Sequence, residues 1–282
     1  MPLPPCDFFL FCGMMVKRNE ENTMITSKEN QYLKLMRDLQ RKKYRTEYGL
    51  FLAEGKRLID DLLGAGLCPH LVLYGENVQD IAFLEQVCSC SDMAFMVSEP
   101  LMKRVCDTQN SQGVIAAFPQ LCSDPQDFFA KAPSLSLISS GIQDPGNLGT
   151  VIRSAAAAGV DAVFLEEETV DLYNPKVIRA TMGTVSRLPV FPDMSVDSIE
   201  KILYRCEAKI FVADMAGDIP YWELPMNAPC SVVLGNEAKG PSDFWQSRYP
   251  KVYIPQTNGV ESLNVAMAGA IMAFDFQRRR LK

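Results

Sequence analysis

Short apolar runs, separated by segments with helical spacing, organise the second half of the chain. Between residues 135 and 282 these runs read LSLIS, AVFLE, LPVF, KIFVAD, SVVLG and KVYIP, and each is four to six residues long. None alternates cleanly with polar residues, which is typical of strands buried on both faces of a parallel sheet. Between the runs, NPKVIRATMGTVSR and VDSIEKILYRCE have the spacing of helices. The pattern predicts an α/β domain in which helices cover a mostly parallel sheet.

A smaller α/β unit is predicted over residues 26–120. Its expected strands lie in GLFLAEG, HLVLYGE, AFMVSE and GVIAAFPQ. Its first helix is expected to run through TSKENQYLKLMRDLQRKKYR, with Ser27 as the N-cap. Residues 121–134 contain two prolines and no clear strand, so we assign them to a linker that precedes the second domain at 135–282.

The first 25 residues are expected to form a disordered extension. Their short apolar run precedes the positive charges, whereas a secretory signal peptide needs the opposite order. No apolar run approaches the ~20 residues that span a bilayer. Nine cysteines without C-x-x-C spacing, and a single histidine, favour reduced thiols over a structural metal site. We therefore expect a cytoplasmic protein with neither a membrane segment nor a bound metal.

Charge is distributed unevenly along the chain. The net charge of −6 argues against indiscriminate binding of nucleic acid. Between residues 34 and 45, however, six basic residues accompany a single acid, and they are Lys34, Arg37, Arg41, Lys42, Lys43 and Arg45. On one continuous helix, Lys34, Arg37 and Arg41 would lie along a single stripe. Such a stripe is either a solvated helix face or a surface that binds RNA phosphates by releasing counterions.

Three polar blocks each follow the end of an apolar run. Residues 139–159 read SSGIQDPGNLGTVIRSAAAAG, residues 232–242 read VVLGNEAKGPS, and residues 254–274 read IPQTNGVESLNVAMAGAIMAF. The first and third blocks then enter an Ala-rich helix. Open α/β sheets bind their ligands at the carboxyl ends of their strands. The blocks therefore predict one ligand site, built from backbone amides and short polar side chains.

Local structure offers a simpler explanation for each polar residue taken singly. Asn147 fits a helix N-cap, Arg153 fits the solvent face of an amphipathic helix, and Glu237 fits a surface turn. Ser262 and Asn264 fit capping positions at the start of a helix expected from about residue 262 to residue 280. The chain has neither a G-x-G-x-x-G motif nor a P-loop, and its one histidine lies far from the blocks in sequence. The occurrence of all three blocks together favours a shared site.

The three blocks resemble the signature motifs of the SpoU (TrmH) family, which are RNA 2'-O-ribose methyltransferases of the SPOUT superfamily. The matching elements are N-L-G-x-x-I-R in the first block, G-N-E-x-x-G in the second and I-P-x-x-x-x-V-E-S-L-N-V in the third. The amino-terminal segment ITSKENQYLKLMRDLQRKKYR, followed by LFLAEGKRLI, is similar to the substrate-binding domain of members that act on ribosomal RNA. Only the first 25 residues fall outside the resemblance.

The resemblance implies a fold and a chemistry. The fold is a sheet with a trefoil knot at its carboxyl end, preceded by a small RNA-binding domain, in an obligate homodimer with residues of both subunits near each site. The chemistry is methylation of a ribose 2'-hydroxyl by S-adenosylmethionine, with Arg153 beside the reacting oxygen. The other implied catalytic residues are Asn147, Glu237, Ser262 and Asn264. The implied cofactor-binding residues are Leu234, Gly235, Asn236, Gly240, Ile254, Ser262 and Leu263.

The amino-terminal domain favours ribosomal RNA as the substrate, and three alternatives stay open. A transfer-RNA 2'-O-methyltransferase would carry the same catalytic blocks. A non-catalytic RNA-binding or ribosome-assembly factor could use the same scaffold, although the intact polar positions argue against it. An enzyme for a small metabolite fits the acidic pI of about 5.0, but it leaves the basic cluster at 34–45 without a purpose.

Overall fold

The computed structural model describes residues 24–106, 112–121, 135–225, 227–259 and 262–281. The predictions for residues 1–23 and for nearly all of the linker lie outside the described residues. The chain divides into two compact units, each of which is described by itself. The first comprises Met1–Cys122 with Tyr173–Gly183, and the second comprises Ser123–Leu172 with Thr184–Lys282.

The first unit is built around a four-stranded mixed sheet. Its strands are β1 (Leu50–Glu54), β2 (Leu71–Gly75), β3 (Met93–Val97) and β4 (Val114–Pro119). β4 pairs antiparallel with β1 and β2, and β2 pairs parallel with β3. The helices are α1 (Gln31–Asp38), α2 (Lys42–Tyr48), α3 (Lys56–Gly64), α4 (Ile81–Cys90) and α5 (Glu99–Val105). The four predicted strands are confirmed, while α4 has no counterpart in the sequence prediction.

The start of α1 differs from the prediction. The side-chain oxygen of Asn30 accepts a hydrogen bond from the Tyr32 amide at 2.9 Å, so Asn30 and not Ser27 is the N-cap. Leu33 and Met36, one turn apart, are buried on the inner face of the helix. Upstream, Ile25 is also buried and pairs with the end of β3, so this last residue of the predicted extension packs against the first unit.

The prediction of one continuous helix over residues 26–45 is wrong. α1 ends three residues before Arg41, and Arg41 itself has an extended backbone, from which α2 starts. A helix cannot continue through an extended residue, because each of its amides must reach a carbonyl four residues back. Lys34 and Arg37 lie on α1 and Arg41 does not, so the predicted stripe is not formed on a single helix.

One helix from the second half of the chain belongs to the first unit. α7 (Pro175–Thr181) lies in the predicted helical segment NPKVIRATMGTVSR. Its Arg179 lies 3.6 Å from the carboxylate of Glu54 on β1. Nearby, the ring of Tyr173 stacks on Phe51 with a centroid distance of 5.3 Å. The predicted boundary at residue 135 divides the chain at one point, whereas the contacts group Tyr173–Gly183 with the first unit. The domain assignment stays a prediction.

The second unit is a seven-stranded sheet in which every pairing is parallel. Its strands are β5 (Leu135–Ser140), β6 (Ala162–Glu166), β7 (Val190–Met194), β8 (Lys209–Ala213), β9 (Ile219–Pro220), β10 (Cys230–Gly235) and β11 (Lys251–Tyr253). Their order across the sheet is β7-β6-β5-β10-β8-β11-β9. The predicted parallel sheet is confirmed, and only the two-residue β9 was not expected from the sequence.

Helices cover this sheet and complete its core. They are α6 (Pro145–Ala157), α8 (Val196–Arg205), α9 (Asp243–Arg248) and α10 (Val265–Arg280). The core includes the fully buried rings of Phe164 on β6 and Trp245 on α9. α6 and α10 pack against each other, which brings the helices of the first and third blocks together. Among the helices described in either unit, none has the length and apolar character needed to cross a bilayer.

Candidate active site

The sheet order brings the three polar blocks to one edge. β5, β10, β8 and β11 are consecutive neighbours and run parallel. The first block follows β5, the second follows β10 and the third follows β11, so each leaves the sheet at its carboxyl end. Segments about a hundred residues apart in sequence therefore meet in a single region.

A hydrogen-bonded network joins one residue from each block. Asn147 on α6 donates from Nδ2 to Oε1 of Glu237 at 2.7 Å. Asn264 in turn donates from its Nδ2 to Oδ1 of Asn147 at 2.9 Å. Glu237 and Asn264 are exposed and Asn147 is half-buried, so a ligand can reach all three. We call Asn264, Asn147 and Glu237 the three-block network.

The network depends on how α6 begins. Asp144 is the N-cap, and its Oδ1 accepts a hydrogen bond from the Asn147 amide at 2.7 Å. The interpretation of Asn147 as the N-cap is therefore wrong. Because the first amides of a helix lack intrahelical partners, one nearby side chain must accept from them. Asp144 does so, which leaves the Asn147 side chain to contact the other two blocks.

The second block forms a tight loop over the end of β10, which we call the second-block loop (residues 235–240). A Cβ on Gly235 would lie 2.1 Å from the nitrogen of Pro241 and 2.3 Å from the carbonyl carbon of Gly240. The backbone of Asn236 exchanges two hydrogen bonds with Gly240, at 3.0 and 2.9 Å. Its Nδ2 also donates to the carbonyl of Gly141 in the first block at 2.9 Å. Backbone contacts therefore fix the shape of this loop, and only glycine fits at position 235.

The third block enters the last helix at Asn264. Its Oδ1 accepts from the Ala266 amide at 2.9 Å, so Asn264 is the N-cap. α10 begins at Val265, later than the predicted start near Ser262. Ser262 and Leu263 lie exposed ahead of the helix, where both can face a ligand held against the second-block loop.

The sheet and α10 approach closely beneath this loop. A Cβ on Gly269 of α10 would lie 2.7 Å from Cδ1 of Leu234. Leu234 is buried at the end of β10, and Ile254, which directly follows β11, is half-buried. Of the predicted cofactor-binding residues, Leu234 and Ile254 thus lie at the carboxyl ends of the two strands that flank β8.

Arg153 lies apart from the three-block network. It follows Asn147 by six residues on α6, which is about 9 Å along the helix axis. Its side chain is exposed and makes no hydrogen bond or ion pair with the other residues that the structure describes. A single chain therefore brings Asn147, Glu237 and Asn264 into contact and leaves the Arg153 guanidinium facing solvent.

The sheet order adds a loop that the sequence analysis did not include. β8 lies between β10 and β11, so residues 214–217, which follow β8, leave the sheet at the same edge. Nζ of Lys251 lies 2.6 Å from the Asp214 carboxylate, and Nε2 of Gln256 in the third block lies 2.8 Å from Sδ of Met215. The sequence carries a signal for this loop, since Asp214 and Gly217 follow the apolar run IFVA.

The site has the donor and acceptor character that a polar ligand needs. Oε1 of Gln256 is buried without a hydrogen-bond partner among the described residues, and such an atom is stabilised by a ligand that donates to it. Within the described ranges, no His, Cys, Asp and Glu side chains are grouped in threes as metal ligands would be.

Known proteins resemble this chain over nearly its whole length. A model described as the SpoU rRNA Methylase family matches residues 134–274, and one described as the MRM3-like substrate binding domain matches residues 30–116. The 23S rRNA (guanosine(2553)-2'-O)-methyltransferase of Bacillus subtilis (strain 168) is 32% identical, with 89% of this chain and 97% of that protein covered. The chain belongs to the SpoU rRNA methylase family.

Solved SpoU structures agree with this membership. The crystal structure of an AdoMet-bound rRNA methyltransferase from Sinorhizobium meliloti has a TM-score of 0.82 and 28% identity, and covers 92% of this chain and 99% of that chain. The recognition drawn from the three blocks is therefore confirmed, together with the enzyme class and the SpoU fold with a smaller amino-terminal domain. The choice of S-adenosylmethionine is confirmed for the family, because this neighbour binds it.

The basic cluster of this SpoU chain contains both exposed and buried side chains. Five of its six members are exposed, namely Lys34, Arg37, Arg41, Lys42 and Lys43. Arg45 is only 3% exposed, and its Nη1 donates to the carbonyl oxygen of Leu39 at 2.9 Å. Its assignment to an RNA-binding surface is therefore wrong, because its charge stabilises the turn between α1 and α2.

Two further cations and two rings extend the exposed basic surface. Lys28 and Arg104 lie with Arg37 around a shallow crevice between α1 and α5. On α2, the rings of Tyr44 and Tyr48 are stacked with centroids 6.2 Å apart. Spacing along the sequence could not have grouped Lys28 and Arg104, because α5 lies about seventy residues after α1.

Proposed function

We propose that this chain transfers a methyl group from S-adenosylmethionine to the 2'-hydroxyl of a ribose in ribosomal RNA. The three-block network carries the proposal, because it joins one residue of each SpoU motif at the carboxyl edge of a parallel sheet. Both the Bacillus subtilis relative and the Sinorhizobium meliloti neighbour are named as rRNA methyltransferases, and the former is named as a 2'-O-methyltransferase.

Positioning is the main contribution of the chain to this reaction. When bound, S-adenosylmethionine would supply an electrophilic methyl group on a sulfonium sulfur, which leaves as a neutral thioether while the proton of the 2'-hydroxyl passes to solvent. Holding two reactants in line can lower the barrier by ~7–11 kcal/mol. The second-block loop, with Leu234, Ile254 and Leu263, would hold the cofactor. Asn147 and Asn264, with Ser262 beside them, would orient the ribose, and Glu237 would keep Asn147 in place.

Arg153 is assigned to the reacting oxygen. A guanidinium is a planar cation with five hydrogen-bond donors and no acceptor, so we assign Arg153 an electrostatic role and not that of the base. Its fixed positive charge can instead stabilise the oxyanion that develops at the 2'-oxygen, or a neighbouring phosphate. The side chain is exposed, which suits a residue that meets the RNA or a second subunit.

The proposal includes a homodimer through the outer face of α10. Four apolar side chains on this face are exposed, which are Met267 at 51%, Ile271 at 38%, Phe274 at 49% and Leu281 at 79%. Their spacing of four, three and seven residues places them on one side of the helix. Contiguous exposed apolar surface of this kind marks an interaction site. The family resemblance implies a homodimer, so we take the partner to be a second copy of the chain that contributes the same face of α10.

Replacing Phe274 by Asp should convert the dimer to a monomer. The substitution places a charge at the centre of the apolar face, where burial against a partner would cost several kcal/mol. Light scattering coupled to size-exclusion chromatography would give the mass of about one chain. Methyl transfer would fall as the dimer is lost. Tyr204→Asp is the matched control, because Tyr204 is an exposed ring on α8 and its loss should leave the dimer intact. A monomeric wild-type protein with full activity would contradict the proposal.

RNA is expected to bind the exposed cations of the first unit. Lys42 and Lys43 lie beside each other at the start of α2, and Nζ of Lys43 is 5.5 Å from the centroid of Tyr44. Cations that contact phosphates release counterions, so binding weakens as salt rises. Stacked rings such as Tyr44 and Tyr48 provide a face for an unpaired base.

The double substitution Lys42→Glu and Lys43→Glu should weaken RNA binding and flatten its salt dependence. Each lost phosphate contact lowers the slope of log K against log salt by about 0.7–0.9. Gel shifts with ribosomal RNA fragments at several salt concentrations give the slope. Lys201→Glu with Arg205→Glu on α8 makes the same charge change elsewhere and serves as the control. RNA binding that is absent or insensitive to salt in the wild type would favour the small-metabolite alternative.

The remaining alternatives are separated by two simple measurements. Methyl transfer to purified transfer RNA, with none to ribosomal RNA, would support the tRNA alternative. Calorimetry with S-adenosylmethionine tests the non-catalytic scaffold, since a scaffold without a working site should give no heat of binding. We expect cofactor binding and transfer to ribosomal RNA alone.

The proposal also retains three finer expectations. A trefoil knot at the carboxyl end is implied by membership of the SpoU family. Residues 26–120 would bind the RNA and residues 135–282 would carry out the transfer. The enzyme would act in the cytoplasm on ribosomal RNA, with no metal in the reaction.

A further inference from the structure

Glu166 is a buried carboxylate that lies outside the three blocks. It ends β6, and the residue is only 6% exposed. Its Oε1 accepts a hydrogen bond from Nε1 of Trp245, whose ring is fully buried on α9. Its Oε2 accepts from Oγ of Ser140, the last residue of β5, at 3.0 Å. Both carboxylate oxygens therefore have donors from other elements of the second unit.

Ser140 connects this carboxylate to the second-block loop. Its Oγ accepts a hydrogen bond from the Ser242 amide at 2.9 Å. Ser242 directly follows Pro241, whose backbone nitrogen lies so close to Gly235 that no Cβ fits there. Ser140 is also paired in register with Gly235 across the sheet. The chain that leaves the second-block loop is thus fixed at Ser242 by a serine that Glu166 holds.

The direction of these hydrogen bonds requires an acceptor at Glu166. A backbone amide can only donate, so Oγ of Ser140 must accept from Ser242 and give its own hydrogen to Glu166. The indole nitrogen of Trp245 can likewise only donate. A carboxylate accepts both hydrogens, whereas a side chain with a donor facing Ser140 would compete with the Ser242 amide for the same oxygen.

Stability alone does not account for the charge of Glu166. Burial raises the pKa of this carboxyl above its usual value, while the hydrogen bonds from Trp245 and Ser140 act in the opposite direction. A carboxyl whose pKa is raised by folding stabilises the fold below the pKa of the unfolded chain, and this contribution is lost as pH rises through the folded pKa. Ionisation of this buried carboxyl therefore opposes folding and does not stabilise it.

We propose that Glu166 is a positioning residue, which acts through Ser140 and Ser242 to hold the second-block loop in the shape that binds S-adenosylmethionine. The proposal rests on the assignment of that loop to the cofactor under the proposed function. Glu166 itself lies beneath the loop and need not touch the cofactor. Its loss should change cofactor affinity more than the rate of transfer once the cofactor is bound.

The test compares Glu166→Gln with the wild type by calorimetry and by steady-state kinetics. We expect the Kd and the KM for S-adenosylmethionine to rise roughly tenfold, as for the loss of one hydrogen bond to a charged group. kcat at saturating cofactor and the KM for RNA should stay within about twofold. Glutamine removes a buried charge but leaves either Trp245 or Ser140 without an acceptor, so the unfolding temperature of the variant is measured alongside its affinity and kinetics. Glu168→Gln is the matched control, since Glu168 is an exposed acid two residues away.

A purely structural role for Glu166 predicts a different result. It would lower the active fraction, and hence kcat, with the KM for S-adenosylmethionine unchanged, and this outcome would overturn the proposal. Ser140→Ala removes the acceptor for the Ser242 amide and keeps Glu166 with Trp245. It should raise the same KM, which keeps the proposal testable if Glu166→Gln fails to fold.

The same measurements separate this proposal from the proposed function. A wild-type protein that binds S-adenosylmethionine but methylates no RNA would contradict the function alone. Weaker binding by Glu166→Gln and Ser140→Ala would still support the positioning role. Unchanged affinity in both variants, with an active wild type, would overturn the positioning role alone.

Discussion

Replacing Arg153 by Ala should lower methyl transfer by roughly 10²–10³-fold, the usual loss when one donor to a developing oxyanion is removed. The affinity for S-adenosylmethionine should stay within about twofold, because Arg153 makes no contact with the second-block loop in the described part of the chain. Single-turnover transfer with saturating cofactor measures the first quantity, and calorimetry measures the second.

Two further variants sharpen this result. Arg153→Lys keeps the positive charge but loses the planar fork of donors, so it should recover only part of the rate. Arg205→Ala removes an exposed arginine from the last turn of α8, close to the amino end of β8 and at the opposite edge of the sheet. It should transfer methyl groups at the wild-type rate. Full activity of Arg153→Ala would remove Arg153 from the chemistry.

Replacing Gly235 by Ala should weaken cofactor binding strongly. The new Cβ would lie 2.1–2.3 Å from backbone atoms of Gly240 and Pro241, and backbone cannot move aside as a flexible side chain can. Overpacking typically costs 1–3 kcal/mol and sometimes more, which corresponds to a loss of affinity of about 5- to 150-fold or greater. The loss should appear in the Kd for S-adenosylmethionine, because the alanine side chain would force the second-block loop out of the shape that binds the cofactor.

Gly64→Ala is the control for this substitution. A Cβ at Gly64 meets nothing within 4 Å, and alanine in a helix is favoured over glycine by roughly 0.5–1 kcal/mol. Gly64→Ala should therefore bind cofactor normally and unfold at a slightly higher temperature. Normal cofactor affinity in Gly235→Ala would show that the loop does not form the cofactor site.

The sequence predicts most of the second unit because its signals are local. The runs LSLIS and SVVLG are buried on both faces and form β5 and β10 as expected. The polar blocks follow those strands directly, so the rule that ligands bind at the carboxyl ends of strands places them correctly. Residue spacing alone did not indicate a knot or a dimer, which come from the family resemblance.

The predicted roles of Asn147 and Arg45 are wrong because each residue has two possible partners. Asn147 and Asp144 both suit an N-cap, and the sequence gives no reason to prefer Asp144, whose choice leaves Asn147 for Glu237. Arg45 reads as one of six surface cations, yet a tertiary turn buries it against the carbonyl of Leu39.

The loop at 214–217 and the role of Glu166 depend on sheet order. β8 separates β10 from β11 only in the folded sheet, and Glu166 meets Trp245 across 79 residues of sequence. No periodicity along the chain encodes such pairs. Residues of this kind become candidates only when the neighbours of each strand are known.

The most direct test of the central claim is to follow an isotopically labelled methyl group from S-adenosylmethionine into ribosomal RNA. After complete digestion, mass spectrometry of the nucleosides shows which atom carries the label. We predict label in a single 2'-O-methylated nucleoside with the wild-type protein and at least a hundredfold less over the same time with Arg153→Ala. Label on a base, or no label from a protein that binds the cofactor, would contradict the account.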